Sequence, residues 1–302
     1  MTIPGYVNGV REKTPVPGRR SVKEPLSPVA ALVRRYDRDR FQTTLFAPAD
    51  RREALFALYA FNYEIARVRE SVTQPILGRI RLEWWRENVA AAYDGSPVRR
   101  HPVAEALSEV IRRNRLTKEH FARLIDARAA DFDEDPPTSL AALENYVEGT
   151  SSHLVYLALE VLGAGDRIAK EAAHHIGIAY GLAGLLRTAP LLARRGRSII
   201  PADIAAQRGV EYRNGPGRGA STALCGAVAD IAAAARTHLR DARNLRGGLQ
   251  RPALPALLPA VVADRSLRRL QRAGCDPFDP ALARPDPLQS WRLAFAALFN
   301  RF

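Results

Sequence analysis

Leu55-Phe56-Ala57-Leu58-Tyr59-Ala60-Phe61-Asn62-Tyr63-Glu64-Ile65-Ala66-Arg67-Val68-Arg69-Glu70 is the stretch whose reading decides the fold. Leu55, Leu58, Ile65 and Val68 recur at helical spacing, so they predict one apolar stripe turned to a core, with Asp50 as the cap of a long helix. The same pattern continues along the chain. Helices are expected to open at Val29, from Pro75 to Ala92, from His101-Pro102 to Arg113, after Thr117, from Ser139 to Tyr146, from Ser151 to Leu162, from Glu171 to Leu192 and from Ser221 to Arg246. A helix reaching Arg272 and a last one burying Trp291, Leu293 or Leu298, and Phe295 complete the set. Alternating β-branched segments are nearly absent, which argues against strands. The expectation is an all-α, single-domain helical bundle over residues 29 to 302, preceded by a flexible, proline-rich basic tail over residues 1 to 28.

At 302 residues with 47% hydrophobic content, the chain can bury a sizeable core in one domain. Its formal charge of +13 points to a negatively charged partner: anionic lipid, nucleic acid, a diphosphate or an acidic protein face. Nucleic acid has charge alone in its favour, since no helix-turn-helix, zinc or aromatic-interleaved basic motif accompanies the arginines. Cys225 and Cys275 are the only cysteines and lack metal-ligand spacing, so a reducing compartment is the simpler assumption. Apolar runs are interrupted by Glu160, by Arg187 with Pro190, and by Asp264, which argues against a membrane span. The first residues lack the apolar centre of a secretory signal, and Pro4, Pro15, Pro17, Pro25 and Pro28 break any long presequence helix.

Tyr59-Ala60-Phe61-Asn62-Tyr63-Glu64-Ile65-Ala66-Arg67-Val68-Arg69-Glu70 and Gly181-Leu182-Ala183-Gly184-Leu185-Leu186-Arg187-Thr188-Ala189-Pro190-Leu191-Leu192 resemble the two helical motifs of the squalene/phytoene synthase superfamily. Further likeness runs through Arg81-Leu82-Glu83-Trp84-Trp85-Arg86, Leu143-Glu144-Asn145-Tyr146 and Ile199-Ile200-Pro201-Ala202-Asp203-Ile204, and covers most of positions 30 to 300. The resemblance implies an isoprenoid-synthase-type bundle around a central cavity. Within the superfamily, Gly149-Thr150-Ser151-Ser152, Leu186-Arg187-Thr188-Ala189-Pro190 and Cys275-Asp276-Pro277-Phe278-Asp279-Pro280 before Gln289-Ser290-Trp291-Arg292 are similar to the branch that serves in assembly of respiratory complex I. That branch implies complex I subunits or assembly intermediates as partners, in the cytoplasm or on the inner face of a bacterial membrane, or in the mitochondrial matrix of a eukaryote.

The resemblance also exposes a mismatch. Its register puts Ala66, Glu70, Thr188 and Leu192 where the family carries two acidic pairs, so one acid in four remains. Carboxylates four residues apart on a helix point into one cavity, where they hold the magnesium that bridges to the substrate diphosphate. A lone Glu70 facing Arg67, Arg69 and Arg187 repels a divalent cation: two unit charges ~4 Å apart interact by roughly 4 kcal/mol at an effective dielectric of ~20. The expectation is a degenerate synthase with no catalytic residue, no metal and no cofactor, magnesium entering only if the chain is an active head-to-head prenyl-diphosphate synthase that recruits Asp131 or Asp133.

Candidate ligand or partner residues are Tyr59, Asn62, Tyr63, Arg67, Glu70, Gly181, Gly184 and Arg187, together with Arg194, Arg195 and Arg197 after the second motif. The arginines either grip phosphate and headgroups by bidentate contacts or lie on solvated faces; a further alternative is a lipid-binding peripheral membrane protein with Arg194, Arg195 and Arg197 as its cationic rim. Gly177, Gly181 and Gly184 share one helical face, so either a neighbouring helix packs close or the cavity enlarges for an isoprenoid, quinone or lipid tail. Asp131, Asp133, Glu134 and Asp135 read as a solvated helix end, and Arg213 to Gly219 as a linker lacking a phosphate-loop ending. His153, His174 and His175 have no zinc-site spacing and read as core or surface histidines.

Overall fold

Ser27 opens the first helix: its Oγ accepts the N–H of Ala30 at 3.1 Å and Pro28 follows it, so α1 runs Pro28–Tyr36. The computed structural model describes residues 25–210 and 220–302; most of the proposed tail and the whole glycine-rich linker lie outside the described residues. Asp37 ends α1 and caps α2 (Arg38–Thr44), accepting the N–H of Arg40 at 3.1 Å. α3 (Ala49–Ala66) starts after Pro48 with no side-chain cap. Asp50 therefore sits inside the first turn rather than capping it, where its charge still favours the positive helix end.

Leu55, Leu58, Ile65 and Val68 are buried as the spacing predicts. Phe61 sits edge-on between Trp85 and Phe121, joining α3 to α4 (Pro75–Asp94) and to α6 (Lys118–Ala127), with α5 (Pro102–Asn114) connecting them. α3 stops at Ala66, and a 3₁₀ turn over Arg69–Ser71 diverts the chain. That early stop matters for the site.

α7 (Leu140–Val147) continues through a π-helical turn, Glu148–Ser152, into α8 (His153–Leu162). α9 (Arg167–Arg194) is longer than its sequence pattern suggested, and Asp166 caps it. α9 is long and apolar enough to cross a membrane by length and composition. It is also the central strut, packed against the π turn, α8 and the later helices α11 and α13. α10 (Ala202–Arg208), α11 (Thr222–Asn244), α12 (Leu254–Leu257), α13 (Pro259–Arg272), α14 (Pro280–Ala283) and α15 (Gln289–Leu298) complete an all-helical bundle; among the described residues there is no strand.

The last helix corrects an expectation. Leu293 is fully buried, but Trp291, Phe295 and Leu298 are exposed. α15 packs on α13 and α2 through the opposite side, so its largest side chains face out.

Candidate functional site

Gly177 and Gly181 bring α9 against the π turn. A Cβ at Gly177 would lie 2.3 Å from the Cα of Ser152, and one at Gly181 would lie 2.7 Å from the Cβ of Val147. Both positions settle the choice in favour of close packing. Gly184, one turn on, would meet nothing nearer than the Arg187 Nη2 at 3.9 Å, so its missing side chain leaves open space. The same glycine stripe thus closes at one end and opens a cleft at the other.

The cleft has a volume of about 560 Å³ between α1, α2, α3, the π turn and α9. Four arginines, Arg38, Arg40, Arg128 and Arg187, line it, against two carboxylates, Asp37 and Asp39. Arg40 is buried, bonded to Asp37 at 2.8 Å, with its guanidinium 4.8 Å from the Tyr180 ring and 5.7 Å from Tyr59. Burial pushes the Tyr59 phenol up to about 12 despite the opposing pull of Arg40. Arg128 donates to the Tyr146 hydroxyl at 3.1 Å, which in turn donates to Asp131 at 2.6 Å.

At the rim, Arg187 donates to Asp39 at 3.0 Å, and the Gln289 amide donates to the other Asp39 oxygen at 2.8 Å. Burial works to raise the Asp39 carboxyl, yet Arg187, Gln289 and Arg40 outweigh it and hold it below the usual carboxylate value. Arg187 also walls a second cavity of about 510 Å³ between α9, α13 and the segment from Pro277 to Gln289.

Among the described residues, Asn62 Oδ1, Ser151 Oγ and Arg128 Nε are buried without a hydrogen-bond partner, and all three residues line the cleft. Such groups are costly to leave unpaired, so the cleft wall carries unused hydrogen-bonding capacity at three points.

Of the candidate residues, Asn62, Tyr63, Ala66, Gly181, Gly184, Arg187 and Thr188 meet at this cleft. Tyr63 stacks on Tyr36 with centroids 4.5 Å apart and lies beneath Arg67, which pairs with Glu64 at 3.1 Å. Tyr59 is buried behind the wall. Glu70 is not in the cleft and does not face Arg187. Because α3 ends at Ala66, the four-residue stacking fails, and Glu70 pairs instead with Arg195 at 2.8 Å on the surface. Leu192 packs against the core, and Arg194 lines the second cavity. Arg197, in the loop after α9, lines neither cavity. The three arginines after the second motif therefore do not form one rim.

Asp133, Glu134 and Asp135 are exposed as expected, but Asp131 is shielded and held by Tyr146 and Arg128. The donor set does not fit a magnesium centre of the kind the fold implies. Asp37 and Asp39 are each engaged by an arginine, while Ala66 and Thr188 bring no carboxylate. Among the described residues no three His, Cys, Asp or Glu side chains are grouped to hold a metal ion.

Asp37, Asp39, Arg40 and Arg128 escaped the sequence reading. The signal for the first three was Tyr36-Asp37-Arg38-Asp39-Arg40, where charges alternate too tightly for a helix face and mark a break between two helices. Arg128 is placed by the 3₁₀ turn Arg128–Phe132 after α6, which no local pattern announced.

Residues 33–294 match the family model described as squalene/phytoene synthase. The NADH dehydrogenase (ubiquinone) complex I, assembly factor 6 of Bos taurus is 35% identical over 268 residues, covering 86% of this chain and 80% of that protein. Its counterpart in Homo sapiens is 34% identical over 271 residues, with coverage of 87% and 81%. Presqualene diphosphate synthase of Rhodopseudomonas palustris is 28% identical over 197 residues, 65% of this chain and 69% of that protein. Among solved structures, a dehydrosqualene synthase in complex with ligand superposes with a TM-score of 0.78 at 17% identity, covering 90% of this chain and 94% of that one. A squalene synthase from Alicyclobacillus acidocaldarius gives a TM-score of 0.73 at 20% identity, with coverage of 83% and 94%. With a matching family model across most of its length and relatives above 30% identity, the chain belongs to the squalene/phytoene synthase family.

Proposed function

We propose that this protein keeps the synthase bundle as a binding scaffold, has given up prenyl transfer, and acts in assembly of respiratory complex I through contact with its subunits or assembly intermediates. The observation that carries the reading is the charge inversion of the cleft: Arg38, Arg40, Arg128 and Arg187 line it, and both of its carboxylates are already paired with arginine. Such a wall suits a bare anionic head, a diphosphate or lipid headgroup, better than a metal-bound one. The second cavity beyond Arg187, where Leu186, Leu191, Val262 and Leu270 stand among charged side chains, offers volume for an isoprenoid, quinone or lipid tail. The likeness to complex I assembly factor 6 supplies the biological direction. Its place of action on this reading is the cytoplasm or inner membrane face of a bacterium, or the matrix of a mitochondrion.

Deletion of the gene in its host, with assembled complex I measured on a native gel, tests the proposal. Loss of the complex, restored by wild type and not by Arg187→Ala, supports a role that runs through the cleft. A normal level of complex I sinks it.

A second reading, a head-to-head prenyl-diphosphate synthase, is favoured by the likeness to presqualene diphosphate synthase and by the presence of Asp37 and Asp39 in the cleft. Magnesium-dependent consumption of farnesyl diphosphate by the purified protein, lost in Asp39→Asn, is the result that would establish it.

A further inference from the structure

α15 carries apolar residues on two opposite sides. Leu293 and Ala296 are turned inward and buried, as a helix packed on a domain requires. Leu288, Trp291, Phe295, Leu298 and Phe299 are turned outward, with exposures of 51%, 75%, 58%, 72% and 52%. At ~100° per residue these five fall within an arc of roughly 100°, a continuous stripe along the helix. Phe295 and Phe299 reinforce it by ring contact, centroids 4.3 Å apart. Scattered exposed leucines need no explanation, but a contiguous stripe of this size, with Phe295 near its centre and Trp291 its most exposed member, does.

The charges beside the stripe indicate what covers it. From Pro287 to Phe302 the side chains include two arginines, Arg292 and Arg301, and no Asp or Glu. Arg292 shares Asp286 with Arg265, while Arg284 and Arg301 are exposed. A second copy of the chain would set like charge against like charge, on a protein whose formal charge is already +13. Trp, Phe and Leu on one side with arginine at the margins is instead the arrangement of a helix lying in a bilayer interface, the rings among acyl chains and the guanidinium groups at phosphate level.

We propose that the outer face of α15 is a membrane-docking surface for an anionic bilayer, with Trp291, Phe295 and Leu298 inserted and Arg301 and Arg284 at the headgroups. The inference stands apart from the cleft and its ligand. It corresponds to a protein resting on a membrane through one short helix, reversible and salt-sensitive, since a few inserted side chains give only modest affinity.

Cosedimentation of the full chain with vesicles of equal parts phosphatidylglycerol and phosphatidylcholine, against phosphatidylcholine alone, is the test. Binding is expected to the anionic vesicles, to weaken with added salt, and to fall ~5-fold in Arg301→Glu. Phe295→Glu with Leu298→Glu should lower it at least about tenfold, because two buried apolar side chains become charged ones. Both positions are exposed, so the melting temperature in solution should hold. In wild type, fluorescence from Trp291, measured against Trp291→Phe, should shift to the blue and be quenched by brominated acyl chains; this readout needs no folded Glu variant. Ile76, Leu77 and Ile80 on α4 are also exposed and supply the control surface. Three results would each overturn the proposal: undiminished binding of the double Glu variant, loss of binding through Ile80→Glu, or a solution dimer that Phe295→Glu dissociates.

Discussion

Arg187 on α9 donates to Asp39 on α2 across 3.0 Å, at a side chain that walls both cavities of the bundle. The pair ties the second motif of the family to a helix break near the start of the domain, and so it occupies ground that a metal-bridged substrate would need. Its position makes it a strut between α2 and α9.

The strut is open to a double-mutant cycle. Asp39→Asn and Arg187→Ala should each destabilise the protein by ~1 kcal/mol, with a coupling energy of about 0.5 to 1 kcal/mol because Arg187 is partly solvated. The folded-state Asp39 carboxyl lies below its ordinary 3.8, so the pair contributes fully above that value and is lost as pH falls through the depressed one. Urea unfolding of wild type and Asp39→Asn at neutral pH and again near pH 3 checks both the size and the sign. A coupling of zero would leave the pair without structural weight.

The three glycines of α9 should separate cleanly under substitution by alanine. At Gly177 the new methyl meets backbone of Ser152, and at Gly181 it meets the Cβ of Val147. Each should lose ~2 to 4 kcal/mol, since helix and π turn must move apart. Gly184→Ala meets open space and should gain roughly 0.5 to 1 kcal/mol from helix propensity alone. Thermal melts of the three variants decide it, and equal losses at all three would mean that the cleft at Gly184 is not open in solution.

Five histidines gather around the π turn in two pairs: His120 and His153 with Nδ1 atoms 2.9 Å apart, and His175 and His238 at the same distance. His174 lies beside the second pair, and Glu160, Glu148 and Glu144 approach His120, His174 and His238. At that distance one ring nitrogen of each pair donates its N–H and the other accepts it. Burial first, then His120, Arg123 and His174, push His153 down to about 4, and burial also lowers His120 and His175. A depressed folded value means that stability is fully present above the unfolded value of 6.5 and drains away as pH falls toward 4. The melting temperature should be level from pH 8 to 7 and fall below it, with His153→Gln removing on the order of 1 kcal/mol of that dependence once its partial exposure is allowed for. Identical pH profiles for wild type and His153→Gln would assign the acid loss to other groups.

The bundle was legible in the chain because its helices are long and their apolar spacing is regular. Leu55, Leu58 and Ile65 announce α3, and Ser139 announces α7 by capping chemistry, whereas Ser27, assigned to the tail, caps α1. The cleft was half legible. Asn62, Ala66, Gly184, Arg187 and Thr188 sit where motif spacing puts them, since each lies within an unbroken helix. Glu70 does not, because helical extrapolation fails beyond Ala66, where a 3₁₀ turn replaces the next helical turn. Asp39 and Arg128 are brought in by tertiary packing from breaks between helices, and Trp291 faces outward because the neighbours of α15 cover its other side. The charge alternation at Asp39 marks a helix break but not what the break packs against, and for Arg128 and Trp291 no local pattern expresses the outcome at all.

Ser151 and Ser152 are adjacent, buried and chemically identical, yet they should respond oppositely to loss of the hydroxyl. Ser152 donates to the carbonyl of His174 at 2.9 Å, locking the π turn to α9, so Ser152→Ala should cost about 1 kcal/mol. Ser151 Oγ lines the cleft with no partner, so Ser151→Ala removes a desolvated hydroxyl that the empty protein gains nothing from keeping. Its stability should stay level or rise by up to ~1 kcal/mol. The cost should appear instead in binding. If the cleft takes an anionic head, titration calorimetry with pyrophosphate should show weaker binding in Ser151→Ala, by roughly 5- to 10-fold for one lost hydrogen bond, and unchanged binding in an exposed control such as Ser290→Ala. A Ser151→Ala protein that is both less stable and equally able to bind would mean that this hydroxyl supports the fold and not a ligand.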